Sequence, residues 1–163
     1  MSKRKAILLV LGSFVLLIVI GCAFRVAQVR LVQRGKAARF DDFVFTVLDV
    51  QLESDERTGT LCVVTLDVRN QARRVPFVFD PANFVLLDDG GKPHAGPIAW
   101  PLGPSGREKA VGGVLPAGSR RSFFLAYPIG GQAQPASLRM TSGPLGDFLE
   151  AAVYGRQEFG LAE

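Results

Sequence analysis

The sequence predicts an all-β protein: an immunoglobulin-like antiparallel β-sandwich behind an N-terminal transmembrane helix, with a short C-terminal helix. Three observations predict it. Residues 6–24 are continuously apolar. Residues 40–141 alternate with period two and are cut by frequent turn signals. Residues 147–155 combine a helix cap, an apolar stripe and a glycine stop. The length of 163 residues suits one ordinary domain. With 48% apolar and 21% charged residues, the chain is neither disordered nor a coiled coil.

The N-terminal segment comes first in the chain. Ala6 to Phe24 reads AILLVLGSFVLLIVIGCAF, without a charge. At 1.5 Å per residue, this run approaches the roughly 30 Å of a bilayer's hydrocarbon core. Residues 1–5 form a basic n-region carrying Lys3, Arg4 and Lys5. Three outcomes stay open at this stage: an uncleaved anchor over 6–24, a lipoprotein signal, or a cleaved signal. Val19-Ile20-Gly21-Cys22 resembles a bacterial lipobox, which makes Cys22 a candidate for lipidation. The apolar run before Cys22 is longer than a usual signal core, and no Ser/Gly-rich tether follows it, so the anchor is the preferred reading.

Residues 1–39 hold eight basic residues and no acid, whereas residues 40–163 hold eleven basic and all fifteen acidic residues, a net of −4. The overall charge of +4 therefore brackets the apolar run. This argues against nucleic acid as a partner, because phosphate contacts need basic residues clustered on the folded surface. Residues 25–39 read as a basic juxtamembrane segment continuing the helix. Arg25, Arg30, Arg34, Lys36 and Arg39 would then reach for anionic headgroups. A strict count of flanking basic residues favours a cytoplasmic carboxyl side. A short basic tail running directly into an apolar core instead has the form of an export signal, and export is the reading taken.

From residue 40 the period changes. Phe43, Phe45 and Val47 share one face, then Leu48, Val50 and Leu52 take the other parity, which predicts a β-bulge near Val47. A polar turn at 54–59 precedes a strand over 60–70, in which Cys62, Val64, Leu66 and Val68 point inward. Cys62 is thus expected to be a buried, inert thiol. Phe84 to Leu87 reads as a strand, Asp88 to Lys92 as a hairpin turn, and residues 115–119 as another turn. Phe123, Leu125 and Tyr127 share the face of a late strand, and residues 136–141 form a last short one. Residues 93–113 are rich in Gly and Pro and show no clean strand. Residues 142–163 form a tail in which Asp147 caps a helix and Glu150 completes the capping box. Removing residues 1–39 is expected to release a folded acidic domain.

Chemistry is sparse. One histidine, two cysteines and two methionines cannot furnish a zinc or copper site. The Asp41-Asp42 and Asp88-Asp89 pairs lack calcium-loop spacing. His94 has no acid within four residues to orient it, and no nucleophile–base set is evident. No catalytic residue, cofactor or metal is expected. The candidate contact surface is the loop Pro93–Leu102, where Ile98, Trp100 and Leu102 could meet a partner.

Four segments in a fixed order resemble a bacterial immunoglobulin-like domain family of unknown function, the domain of unknown function 4352 type. They are CVVTLDVRN over 62–70, FVLLDDG over 84–90, LPAG over 115–118 and FFLAYP over 123–128. Ala117 interrupts the family's usual Pro-Gly pair. The resemblance implies an exported domain, held behind a signal or lipoprotein sequence, and brings no catalytic residues. The function expected is therefore a membrane-anchored extracytoplasmic interaction module, single-pass in the cell membrane, meeting a protein or envelope polymer. The alternative is an accessory or assembly factor of a membrane complex.

Overall fold

The computed structural model describes residues 11–21, 29–56, 59–94, 96–98, 112–130, 133–141 and 156–162. Strands dominate them: β1 (Val29–Val32), β2 (Ala37–Phe40), β3 (Phe43–Asp55), β4 (Gly59–Asn70), β5 (Phe77–Phe79), β6 (Phe84–Asp88), β7 (Gly113–Leu115), β8 (Arg120–Ile129), β9 (Pro135–Met140) and β10 (Arg156–Gly160). They form two four-stranded sheets, in the orders β2-β3-β4-β8 and β1-β10-β9-β6, and a two-stranded ribbon, β5-β7. The core lies between the two larger sheets and draws apolar side chains from all ten strands.

The long strands form for the reason their patterning suggests. Cys62, Val64, Leu66 and Val68 of β4 are buried on one face. They pair with Leu52, Val50, Val47 and Phe45 of β3, and Cys62 to Leu66 pair with Tyr127, Leu125 and Phe123 of β8. Residues opposite each other in an antiparallel ladder share a face, so every inward position on β4 has an apolar neighbour on the same side. The register shifts between Val47 and Asp49, leaving Leu48 as the extra, exposed residue. This bulge returns Val50 and Leu52 to the face already used by Phe45 and Val47.

Glycines in left-handed backbone serve several connections. Gly35 (φ 76°) reverses the chain between β1 and β2, its N–H donating to the Val47 carbonyl, and Gly118 (φ 74°) turns β7 into β8. An aromatic seam closes the end beside the ribbon. Phe79 stacks on Phe123 at 3.8 Å between centroids, and Phe77 lies 4.4 Å from Phe43. Asn70 fastens this end: its amide donates to the Val75 and Leu115 carbonyls, and its oxygen accepts from the Ala72 N–H.

Three expectations are corrected. The helix read through residues 25–39 is replaced from Val29 onward by β1 and β2, because Val32 and Ala38 bury into the core with the Gly35 turn between them. The sandwich therefore starts before residue 40. The tail over 142–163 is not wholly outside the sheets either, since β10 pairs with β9 and buries Phe159. Five short strands (β1, β2, β5, β7 and β10) are not among the strands expected from the sequence. The helix expected over 147–155 lies outside the described residues.

At the other end of the chain, residues 11–21 are helical, a rise of about 16 Å. Among the described residues no helix is long and apolar enough to cross a membrane. The remainder of the 6–24 run lies outside the described residues.

The bulge makes a sharp prediction. Leu66→Ala should cost about 2–5 kcal/mol by opening a cavity at a fully buried site. Leu48→Ser should change stability by no more than about 0.5 kcal/mol. Deleting Leu48 should leave the domain folded, because regular alternation from Val47 then keeps Asp49 and Gln51 outward and Val50 and Leu52 inward, opposite their present partners on β4. Urea titrations of the three variants, followed by circular dichroism, rank them.

Candidate functional site

The segment that follows β6 is built by the end of the strand itself. Asp88 closes β6, and its carboxylate Oδ1 accepts the Lys92 N–H at 2.8 Å. The turn is completed by Gly91, in left-handed backbone, donating to the Asp88 carbonyl. Pro93 then bridges back to Leu87, and the His94 N–H donates to the Leu86 carbonyl at 2.9 Å. The expected hairpin is present. Farther on, the Ile98 N–H donates to the Ala126 carbonyl of β8 at 2.8 Å. One segment thus leaves the edge strand of one sheet and attaches to the edge strand of the other.

This placement gives Ile98, one of the three candidate contacts, apolar neighbours of its own. Ile98 is half-buried and packs with Phe124 on the outer face of β4 and β8, against Leu61, Val63 and Ala126. Its side chain covers apolar surface that would otherwise face water. Trp100 and Leu102, the other two members of the candidate surface, lie outside the described residues, as does the candidate lipidation site Cys22.

His94 does have an acidic partner, Asp88, six residues back. Its Nε2 lies 3.2 Å from Asp88 Oδ2, with both side chains about 10% exposed. The Lys92 N–H, followed by His94, holds the Asp88 carboxyl below the usual carboxylate range. Both bonds belong to the hairpin, so the pair fixes the stem of the loop. Among the described residues no group of three or more His, Cys, Asp or Glu could hold a metal ion.

The two groups with nucleophilic character are withdrawn from chemistry. Burial pushes the Cys62 thiol up to about 12, which leaves it protonated at neutral pH. Burial, followed by Cys62, also raises the Tyr127 hydroxyl. That hydroxyl donates to the Phe84 carbonyl at 3.1 Å and ties β8 to β6 across the core.

The basic residues expected at the membrane separate into classes. Arg25 lies outside the described residues. Arg34 is paired with Asp49 of β3. Arg39 donates to the Asp41 carbonyl at 2.8 Å and stands 3.7 Å from Asp42. Arg30 and Lys36 are exposed. Sequence reading missed a second polar cluster, Ser137, Arg139 and Glu158, in which Glu158 accepts from both neighbours. Its signal was hidden because β10 was not read as a strand.

The chain matches no family model and no curated protein sequence. Its fold does match solved structures. The secreted protein MPT63 of Mycobacterium tuberculosis aligns with a TM-score of 0.59 at 14% identity, covering 82% of this chain and 98% of that one. The yjhA protein of Bacillus subtilis aligns at 0.53 and 14% identity, covering 80% and 98%. The ycdA protein of Bacillus subtilis, described as a candidate lipoprotein, aligns at 0.54 and 20% identity, covering 76% of this chain and 37% of that one. These likenesses establish a shared β-sandwich fold.

The Asp88 pair has a signed pH dependence. A carboxyl held below its ordinary value of 3.8 adds stability above that value and loses it as pH falls through the lower folded value. Asp88→Asn should therefore be less stable than the wild type above about pH 5, and the gap should close toward about pH 2. Denaturant midpoints across this range measure the gap.

Proposed function

We propose that the chain is a membrane-anchored, extracytoplasmic, noncatalytic interaction module built on an immunoglobulin-like sandwich. One observation carries the reading. Leu11, Phe14, Val15, Leu16, Leu17, Ile18, Val19 and Ile20 are all more than half exposed on the helical residues 11–21. They sit inside the uncharged 6–24 run. Water does not tolerate such a surface on a helix, and a bilayer does. A secreted protein and a candidate lipoprotein among the structural neighbours support export.

The noncatalytic part of the reading rests on the chemistry of the described groups. The Cys62 thiol is protonated and buried, Tyr127 is spent on the core, and His94 is used to hold a loop stem. What the scaffold offers is a loop clamped at Pro93 and Ile98, on which Trp100 and Leu102 are the proposed partner contacts. The partner is a protein or an envelope polymer. The family of exported immunoglobulin-like domains described above is the proposed home of the chain.

Carbonate-washed membranes test the anchoring: the full chain should stay in the pellet. Intact mass should begin at Met1 or Ser2, whereas a chain starting at acylated Cys22 would make it a lipoprotein. Deleting residues 1–28 should release a folded soluble domain. Deleting residues 1–39 should not, because it removes β1 and β2 with the buried Val32 and Ala38. Trp100→Ala should weaken capture of the partner from detergent-solubilised membranes by roughly ten-fold or more while leaving the fold intact.

A further inference from the structure

A juxtamembrane helix would have held the domain away from the lipid. The chain has none from Val29 onward, and this changes the geometry of attachment. If residues 6–24 span the bilayer, only residues 25–28 precede β1. Five Cα steps from Phe24 to Val29 reach at most about 18 Å. Were Cys22 the lipid-bearing residue instead, the reach would be about 25 Å. Either way β1 is confined to the neighbourhood of the headgroups.

The composition of β1 fits that position. It is the edge strand of its sheet, next to β10. Its side chains are exposed except for Val32, with Leu31 at 63% and Val29 at 49%. Arg30 is exposed between them, and Lys36 is exposed on the turn that follows. Neither base has an ion-pair partner among the described residues. Arg34, by contrast, is turned to Asp49. Two exposed aliphatic side chains beside two exposed bases, with no acid between Val29 and Lys36, suit an anionic lipid surface. A second copy suits it less. A charged residue within a four-residue edge strand opposes strand addition, and two such edges would bring like charges together.

We propose that β1 is the edge on which the sandwich rests against the bilayer. Val29 and Leu31 enter the boundary between headgroups and acyl chains, and Arg30 and Lys36 pair with anionic headgroups. This rests on the membrane anchoring proposed above. The loop that carries Trp100 leaves from β6, the opposite edge of the same sheet. An edge-on domain of this kind holds its contact loop away from the lipid.

The test uses the full chain with Cys22→Ala, reconstituted into phosphatidylcholine vesicles with or without phosphatidylglycerol. An environment-sensitive fluorophore is placed on Leu31→Cys, on Val29→Cys as a second reporter, and on Lys92→Cys at the opposite edge. Cys62 is buried and protonated and takes no label. Spin-labelled lipids should quench the probe at 29 and 31 and spare the probe at 92. Arg30→Glu with Lys36→Glu should lower the quenching on phosphatidylglycerol vesicles, each charge being worth on the order of a five-fold change in partition to an anionic surface. A chain that floats with the vesicles while 29 and 31 stay unquenched overturns the edge contact and leaves the anchoring standing. Equal quenching at 31 and 92 overturns it as well. A chain that does not float overturns the anchoring and the edge contact with it. Energy transfer between labels at 31 in lipid-free detergent assigns the edge to a second copy and overturns the lipid contact.

Discussion

Burial of Cys62, Val64, Leu66 and Val68 on one face of β4 obliges both neighbouring strands to present apolar side chains to that same side. Side chains alternate with a strict period of two, so the obligation extends along the whole ladder. β3 meets it only because the bulge at Leu48 absorbs one residue. β8 meets it from Tyr127 to Phe123 without a bulge, and opposite Val68 it presents Arg121, whose guanidinium lies 5.4 Å from the Phe123 ring centroid. Once these three strands share a phase, their inner face is a largely apolar surface, and the second sheet and the ribbon are arranged to cover it.

What was legible in the sequence follows the same physics. The long strands carry enough alternation to reveal themselves, and the phase change in β3 marks the bulge in the sequence itself. β1 and β2 escaped because each buries a single side chain fully, Val32 and Ala38, and four residues of edge strand carry too little pattern to compete with apolar spacings that also fit a helix. β10 escaped for another reason. Its buried residues include Gln157 and Glu158, whose polarity is satisfied only by distant chain: the Arg39 carbonyl, Ser137 and Arg139. Such pairing cannot be seen along the sequence. The acidic partner of His94 was near in sequence yet hidden, because only the closed hairpin brings residue 88 to residue 94.

Ile98 shows how an apolar residue in a Gly/Pro-rich loop can have a packing role that composition does not reveal. By composition it belonged with Trp100 as a contact surface. In the fold it belongs with Leu61, Val63 and Ala126, on the face of β4 and β8 turned away from the main core. The central strand is therefore buried on both sides over part of its length, a condition more typical of parallel sheets. Among the described residues no buried side-chain nitrogen or oxygen lacks a partner, so this second layer is added without stranding a polar group.

The bridges at Pro93 and Ile98 occupy the free edges of β6 and β8, the two strands that end their sheets on that side. Open edges are templates for further strands, and chains confined to a surface meet one another far more often than chains in bulk solution. A segment that takes some of those hydrogen-bonding groups leaves that flank less to offer an identical neighbour. An identical chain that meets that flank finds both strand edges interrupted, whatever the concentration.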